Sequence, residues 1–115
     1  MTILVAVTDD GPGTAALEAA LAEGVRRDSA VVALNLRARP LEPPDDAELT
    51  VVDRLLGVED GDAVLERLET DGSVELLVIG VRRRSPVGKA FLGDVAQRLL
   101  LEADVPVLAV KDGLS

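Results

Sequence analysis

The feature that most constrains this chain is a regular alternation between short apolar runs and longer segments of helical periodicity. Short apolar runs lie at 3–7, 30–36, 74–80 and 106–110. Segments with apolar residues on one helical face lie at 14–26, 60–72 and 95–103. Strands that are apolar throughout are buried on both faces. The pattern predicts an α/β fold: a three-layer, open, mostly parallel, Rossmann-like sheet with helices on both faces and right-handed crossovers.

Residues 48–56 fit two structures. Val51 and Val52 favour a strand, whereas Leu49, Val52, Leu55 and Leu56 also share one helical face. We favour a strand, which makes the predicted sheet five-stranded. Residues 38–47 contain three prolines and three acids and predict a loop.

Composition excludes several classes of function. The 115 residues fit one domain, 1–115. They include no cysteine and no histidine, which removes disulfides, thiol nucleophiles, zinc sites and the commonest general base. One aromatic residue and a net charge of −9 argue against nucleic-acid and membrane partners. With neither a membrane-length apolar run nor a signal-peptide pattern, we expect a cytoplasmic protein.

A basic, glycine-containing stretch, GVRRRSPVGKAFLGD at 80–94, stands out in this acidic chain. It follows the predicted strand 74–80 and leads into the last predicted helix. Gly88 and Gly93 permit close approach of backbone N–H groups to a ligand, and a helix N-terminus favours an anion. These are the components of a phosphate-binding loop. The alternative is a charged surface turn in which Asp94 caps the following helix.

Three segments of the sequence resemble the universal stress protein family, of the UspA type, and the resemblance extends over essentially the whole chain. The segments are ILVAV with the following TAALEAAL, GDAVLERLETDGSVELLVIG, and GVRRRSPVGKAFLGDVAQRLLLEADVPVLAV. The resemblance implies a five-stranded fold of the adenine-nucleotide α-hydrolase-like kind. It also implies a homodimer paired through the last strand, here through Val107, Leu108, Ala109 and Val110. ARPLEPPDD stands where the family usually has a helix between strands two and three.

Some members of that family bind ATP through Gly-x2-Gly-x9-Gly-(Ser/Thr). The first and third glycines match Gly80 and Gly93, whereas Arg83 and Asp94 occupy the second glycine and the Ser/Thr position. The family's nucleoside-contacting Asp falls on Thr8, next to Asp9. An acid at position 94 opposes a phosphate and occupies N–H groups that the phosphate needs. The resemblance thus implies a modified site for ATP, AMP or another phosphate-bearing ligand, formed by Thr8, Asp9, Gly80, Arg82, Arg83, Ser85, Gly88, Lys89, Gly93 and Asp94.

Two other functions compete with a regulatory or binding protein. A response-regulator receiver would use Asp9, Asp10 and Asp53 with Lys111 for Mg²⁺ and phosphoryl chemistry. The apolar residues after Asp53 and the unexplained basic stretch argue against it. A slow ATPase would have only Asp9, Asp10 and Asp94 near the cleft, without a base of tuned pKa, so we expect no efficient catalysis.

Overall fold

The computed structural model describes residues 1–43, 48–81 and 93–111. Five strands and three helices follow one another in these ranges. The strands are β1 (Thr2–Val7), β2 (Ala30–Asn35), β3 (Leu49–Asp53), β4 (Val74–Val81) and β5 (Val107–Lys111). The helices are α1 (Gly11–Arg27), α2 (Asp60–Thr70) and α3 (Asp94–Glu102).

The strands form a single sheet in the order β3-β2-β1-β4-β5. Every neighbouring pair is parallel, which confirms the predicted five-stranded parallel sheet. The order reverses at β1, whose neighbours are β2 on one side and β4 on the other. The connections that leave β1 and β4 run toward opposite edges of the sheet, so a gap opens at the carboxyl ends of these two strands.

The core lies in two layers, one on each face of the sheet. Alternate side chains of β1 point to opposite faces: Ile3 and Val5 pack beneath α1, and Leu4 and Ala6 pack beneath α2 and α3. On α1 the fully buried residues are small, Ala16 and Ala20. Small side chains bring the helix axis close to the strands, so α1 lies tightly against β1 and β4.

The ambiguous segment 48–56 contains the strand we favoured, β3. Its register with β2 runs from Val31 opposite Leu49 to Asn35 opposite Asp53. The helical alternative is therefore wrong. Residues 36–43, between β2 and β3, contain no helix, in agreement with the loop predicted there.

Helix α1 begins at Gly11, three residues before the apolar segment 14–26 from which we predicted it, and Pro12 lies in its first turn, as its sequence position suggested. Asp10 has extended backbone and its side chain accepts a hydrogen bond from the Gly13 N–H at 2.9 Å. An aspartate that accepts from an N–H of the first turn is a strong N-cap, and proline is well tolerated just inside a helix start. The helix therefore extends back through Pro12 to Gly11.

Candidate functional site

A cleft of about 210 Å³ opens where the strand order reverses. Its polar rim is built by the residues that follow β1, the end of β4 and the start of α3: Thr8, Asp10, Gly80, Gly93 and Asp94. Its floor is apolar and comes from both the sheet and α3: Ala6, Leu36, Ile79, Val81, Val95, Ala96 and Leu99. An apolar cleft with a few converging polar groups at this position is the usual ligand site of an open parallel sheet.

The acid on the β1 side of the cleft is Asp10. Its Oδ1 accepts hydrogen bonds from the Thr8 hydroxyl at 2.7 Å and from the Gly13 N–H at 2.9 Å. The two bonds orient a carboxylate at the cleft rim while capping α1. Thr8, a predicted ligand contact, lies on the same rim, whereas Asp10 was not among the predicted ligand contacts. The signal was present in DGPG, where the cap residue must precede the helix.

Asp9, which we predicted as a ligand contact, does not line this cleft. Its Oδ1 accepts from Nε and Nη2 of Arg39, at 3.2 and 2.9 Å. It lies on the wall of a separate cavity of about 280 Å³ on the α1 side of the sheet, together with Arg37 and Thr14. The ion pair ties the segment after β1 to the segment after β2. Its role in the described structure is therefore to connect two loops.

Asn35 organises the end of β2 and was missed by sequence reasoning. It is a buried polar residue, 3% exposed. Its amide donates to the Arg39 carbonyl at 2.9 Å and to Oδ1 of Asp53 at 3.0 Å, and its oxygen accepts from the Arg37 N–H at 3.0 Å. These bonds turn the chain sharply after β2 and position Leu36 in the cleft floor. A single asparagine at a strand end carried no distinguishing sequence signal.

Gly80 has a packing reason to be glycine. A Cβ at this position would lie 2.2 Å from the carbonyl oxygen and 2.4 Å from the carbonyl carbon of Pro12. Ordinary contacts between such atoms are about 3.5–4.0 Å. The first motif glycine therefore permits the first turn of α1 to rest on β4, and it also borders the cleft.

At the start of α3 the structure corrects one expectation. Gly93 occupies the N-cap position with φ −60°, and Asp94 is the first helical residue. No side chain caps this helix within the described part of the chain. Asp94 is thus not the N-cap and does not occupy the N–H groups of the first turn. Its carboxylate instead stands, exposed, on the rim of the cleft.

One helical turn after Asp94, Arg98 is held by other acids. Its Nη2 donates to Oδ1 of Asp62 at 2.6 Å, and its Nε donates to Oε2 of Glu102 at 3.2 Å. The hydrogen bond that Arg98 donates to Asp62, with the charges of both acids, raises the pKa of Arg98 above its ordinary value. The remaining predicted contacts, Arg82, Arg83, Ser85, Gly88 and Lys89, lie outside the described residues.

The strand order disagrees with a receiver-type site. Receivers have the order 2-1-3-4-5, in which the third strand lies beside the first. Here β2 separates β3 from β1. Asp53 accordingly bonds to Asn35, and Lys111 lies at the other edge, on β5. Across residues 1–43, 48–81 and 93–111, no three His, Cys, Asp or Glu side chains are grouped so as to hold a metal ion.

At one edge of the sheet, β5 pairs with β4 alone. Leu108 is 36% exposed and Ala109 is also exposed, while Val107 and Val110 are partly buried. The four residues that we predicted for a dimer contact therefore lie along an open strand edge. In the described ranges no helix is long and apolar enough to cross a membrane.

Taken together, the parallel sheet, its two helical layers and the cleft at the point of reversal define an open, doubly wound α/β protein. Residues 37–111 match the model of the universal stress protein family. A universal stress protein of Mycolicibacterium smegmatis is 39% identical over 126 residues, which cover 95% of this chain and 96% of that protein. The chain belongs to the universal stress protein family.

Solved structures agree with this assignment. A universal stress protein of Archaeoglobus fulgidus superposes with a TM-score of 0.79 at 25% identity, covering 96% of this chain and 98% of that one. UspA of Lactobacillus plantarum gives 0.72 at 16% identity, covering 96% and 97%. A universal stress protein of Archaeoglobus fulgidus in complex with dAMP gives 0.68 at 20% identity, covering 96% and 98%. The last two likenesses bear on the fold alone.

Proposed function

We propose that this protein is a regulatory binding protein whose cleft between β1 and β4 holds an adenine nucleotide or a related phosphate-bearing ligand. The observation that carries the proposal is the cleft itself, at the reversal of strand order, with an apolar floor and the rim residues Thr8, Asp10, Gly80 and Gly93. A structural relative was solved in complex with dAMP, which supports an adenine ligand in this fold.

The apolar floor suits a base and a sugar, since such sites bury most of the ligand against hydrophobic side chains. Gly93 lines the same cleft, at the point where the backbone enters α3. Among the described residues, a Cβ at Gly93 would meet nothing within 4 Å. A methyl group added there therefore tests whether a ligand approaches the backbone at this point.

Calorimetric titration with AMP, ATP and inorganic phosphate tests the proposal, on the wild type, Gly93→Ala and Gly72→Ala. A Cβ at Gly72 would likewise meet no atom of the described residues within 4 Å. Gly72 lies between α2 and β4, at the end of the sheet opposite the cleft. We expect AMP binding to the wild type and to Gly72→Ala, and at least about fivefold weaker binding to Gly93→Ala. Failure of every ligand to bind at millimolar concentration contradicts the nucleotide proposal.

We propose further that the protein has no catalytic role. Its sequence has no histidine or cysteine, so the commonest general base and the thiol nucleophile are missing. The test is multiple-turnover hydrolysis of ATP. Turnover that Asp94→Ala abolishes would show an enzyme instead.

A homodimer formed through β5 completes the proposal. The exposed edge of Val107–Lys111 would continue the sheet into a second copy, which removes an unpaired apolar edge. Ala109→Lys places a charge on that edge, and Val25→Lys places one on α1, where Val25 is 86% exposed. We expect sedimentation to give a dimer for the wild type and Val25→Lys and a monomer for Ala109→Lys. A monomeric wild type, or a dimer in all three, contradicts the interface.

A further inference from the structure

The described wall of the nucleotide cleft is acidic. Asp10, before α1, and Asp94, at the start of α3, border the opening from its two sides. The lining residues that the structure describes include these two carboxylates and no lysine or arginine. Everything else in that wall is apolar, hydroxyl or glycine. Asp94 therefore places a negative charge on the rim of the cleft.

The two carboxylates differ in how they are held. Asp10 is engaged through Oδ1 by Thr8 and Gly13. Asp94 is exposed and forms no ion pair or side-chain hydrogen bond within the described residues. Arg98, the nearest cation on its own helix, is already bound to Asp62 and Glu102. Asp94, as the first residue of α3, thus places a negative charge at the helix start, where the phosphates of a nucleotide would lie.

We infer that Asp94 determines specificity by charge, so that the cleft takes a nucleoside or nucleoside monophosphate in preference to a triphosphate. This inference rests on the proposed nucleotide site. A base and sugar gain from the apolar floor whatever the length of the phosphate chain. Each further phosphate adds negative charge near Asp94, and two like charges about 4 Å apart repel enough to weaken binding about fivefold even in bulk water. The penalty therefore grows from adenosine to AMP to ATP.

The experiment measures the affinities of adenosine, AMP and ATP for the wild type, Asp94→Asn and Asp104→Asn. Each series is run once with EDTA and once with Mg²⁺. Asp104 is an exposed aspartate between α3 and β5, at the opposite end of the sheet from the cleft. Its replacement matches the chemistry and the change in net charge. Circular dichroism and urea unfolding check that both variants keep the fold.

We expect the wild type to bind AMP at least about tenfold more tightly than ATP in both buffers. Asp94→Asn should raise ATP affinity about tenfold, raise AMP affinity less and leave adenosine unchanged. Asp104→Asn should change none of the three. Equal affinity of the wild type for AMP and ATP in either buffer, or an equal gain for all three ligands in Asp94→Asn, overturns the inference. If none of the three binds, the proposed nucleotide site itself is refuted, and the inference with it.

Discussion

Replacing Gly80 by alanine is the sharpest test of how the cleft is built. The added Cβ would lie 2.2, 2.4 and 2.8 Å from the carbonyl oxygen, the carbonyl carbon and the Cβ of Pro12. Each distance is well inside the ordinary contact range of about 3.5–4.0 Å. Two of the three obstacles are backbone atoms, so no side-chain rotation relieves the clash.

Relief requires α1 to move away from β4. The first turn of α1 is held by the Asp10 cap at 2.9 Å, and its buried face, Ala16 and Ala20, is fully packed on the sheet. Overpacking of a rigid core costs about 1–3 kcal/mol. Because both sides of this contact are backbone, we expect a loss near the upper end, about 3 kcal/mol. That is a large part of the roughly 5–15 kcal/mol that stabilises a typical domain.

Urea unfolding followed by circular dichroism measures the effect at a fixed protein concentration, because any dimer makes the midpoint depend on concentration. With a slope of about 1.5 kcal/mol/M, the midpoint should fall by about 2 M. Gly72→Ala and Gly93→Ala are the controls: neither glycine has positive φ, so both variants should stay within about 1 kcal/mol of the wild type. A change below about 0.5 kcal/mol in Gly80→Ala would refute the packing argument.

Three further predictions follow from the hydrogen bonds. Asp10→Ala removes the cap bond to Gly13 and should lower the free energy of unfolding by about 1–2 kcal/mol in urea, whereas Asp10→Asn should cost less. Asn35 is 3% exposed, so Asn35→Ala leaves its buried hydrogen-bonding partners unsatisfied and should lower the free energy of unfolding by about 2 kcal/mol. Asn35→Asp places a second carboxylate beside Asp53 and should lower the free energy of unfolding by at least as much. Ser73 lowers the pKa of Asp71 from its ordinary 3.8, so this contribution is present above 3.8 and is lost as pH falls through the lowered pKa. Ser73→Ala should therefore lower stability above pH 3.8, flatten the acid limb of the pH–stability curve and leave the slope of that curve between pH 6 and pH 4.5 unchanged; an unchanged acid limb would refute this assignment.

Several features of the site were predictable because they depend on local sequence. Apolar runs bounded by turns indicated the strands, and Gly80 and Gly93, two glycines singled out in the basic stretch, both border the cleft. Gly93 and Asp94 were correctly placed at the start of the last helix. The cap itself was misplaced by one residue, since a Gly-Asp pair is compatible with either residue at the N-cap.

Other features depended on contacts between distant residues. The segment containing Val51 and Val52 satisfied helical and strand periodicity equally well, and only pairing with β2 made it a strand. Asp9 and Asp10 are adjacent in sequence, but Asp10 caps α1 and lines the cleft, whereas Asp9 forms an ion pair with Arg39. The burial of Asn35 likewise arose from the loop that folds back over it.

The sequence by itself determined the alternation of strands and helices and the parallel sheet, because apolar periodicity and turn residues act over a few neighbouring positions. The family followed from the resemblance of three segments to universal stress proteins. Only the tertiary structure decided the position of β3 at the edge, the choice of Asp10 over Asp9 for the cleft and the contact that requires glycine at position 80. Each of these depends on how closely separate elements approach in space. Local pattern does not encode those distances, and packing of the two core layers against the sheet sets them.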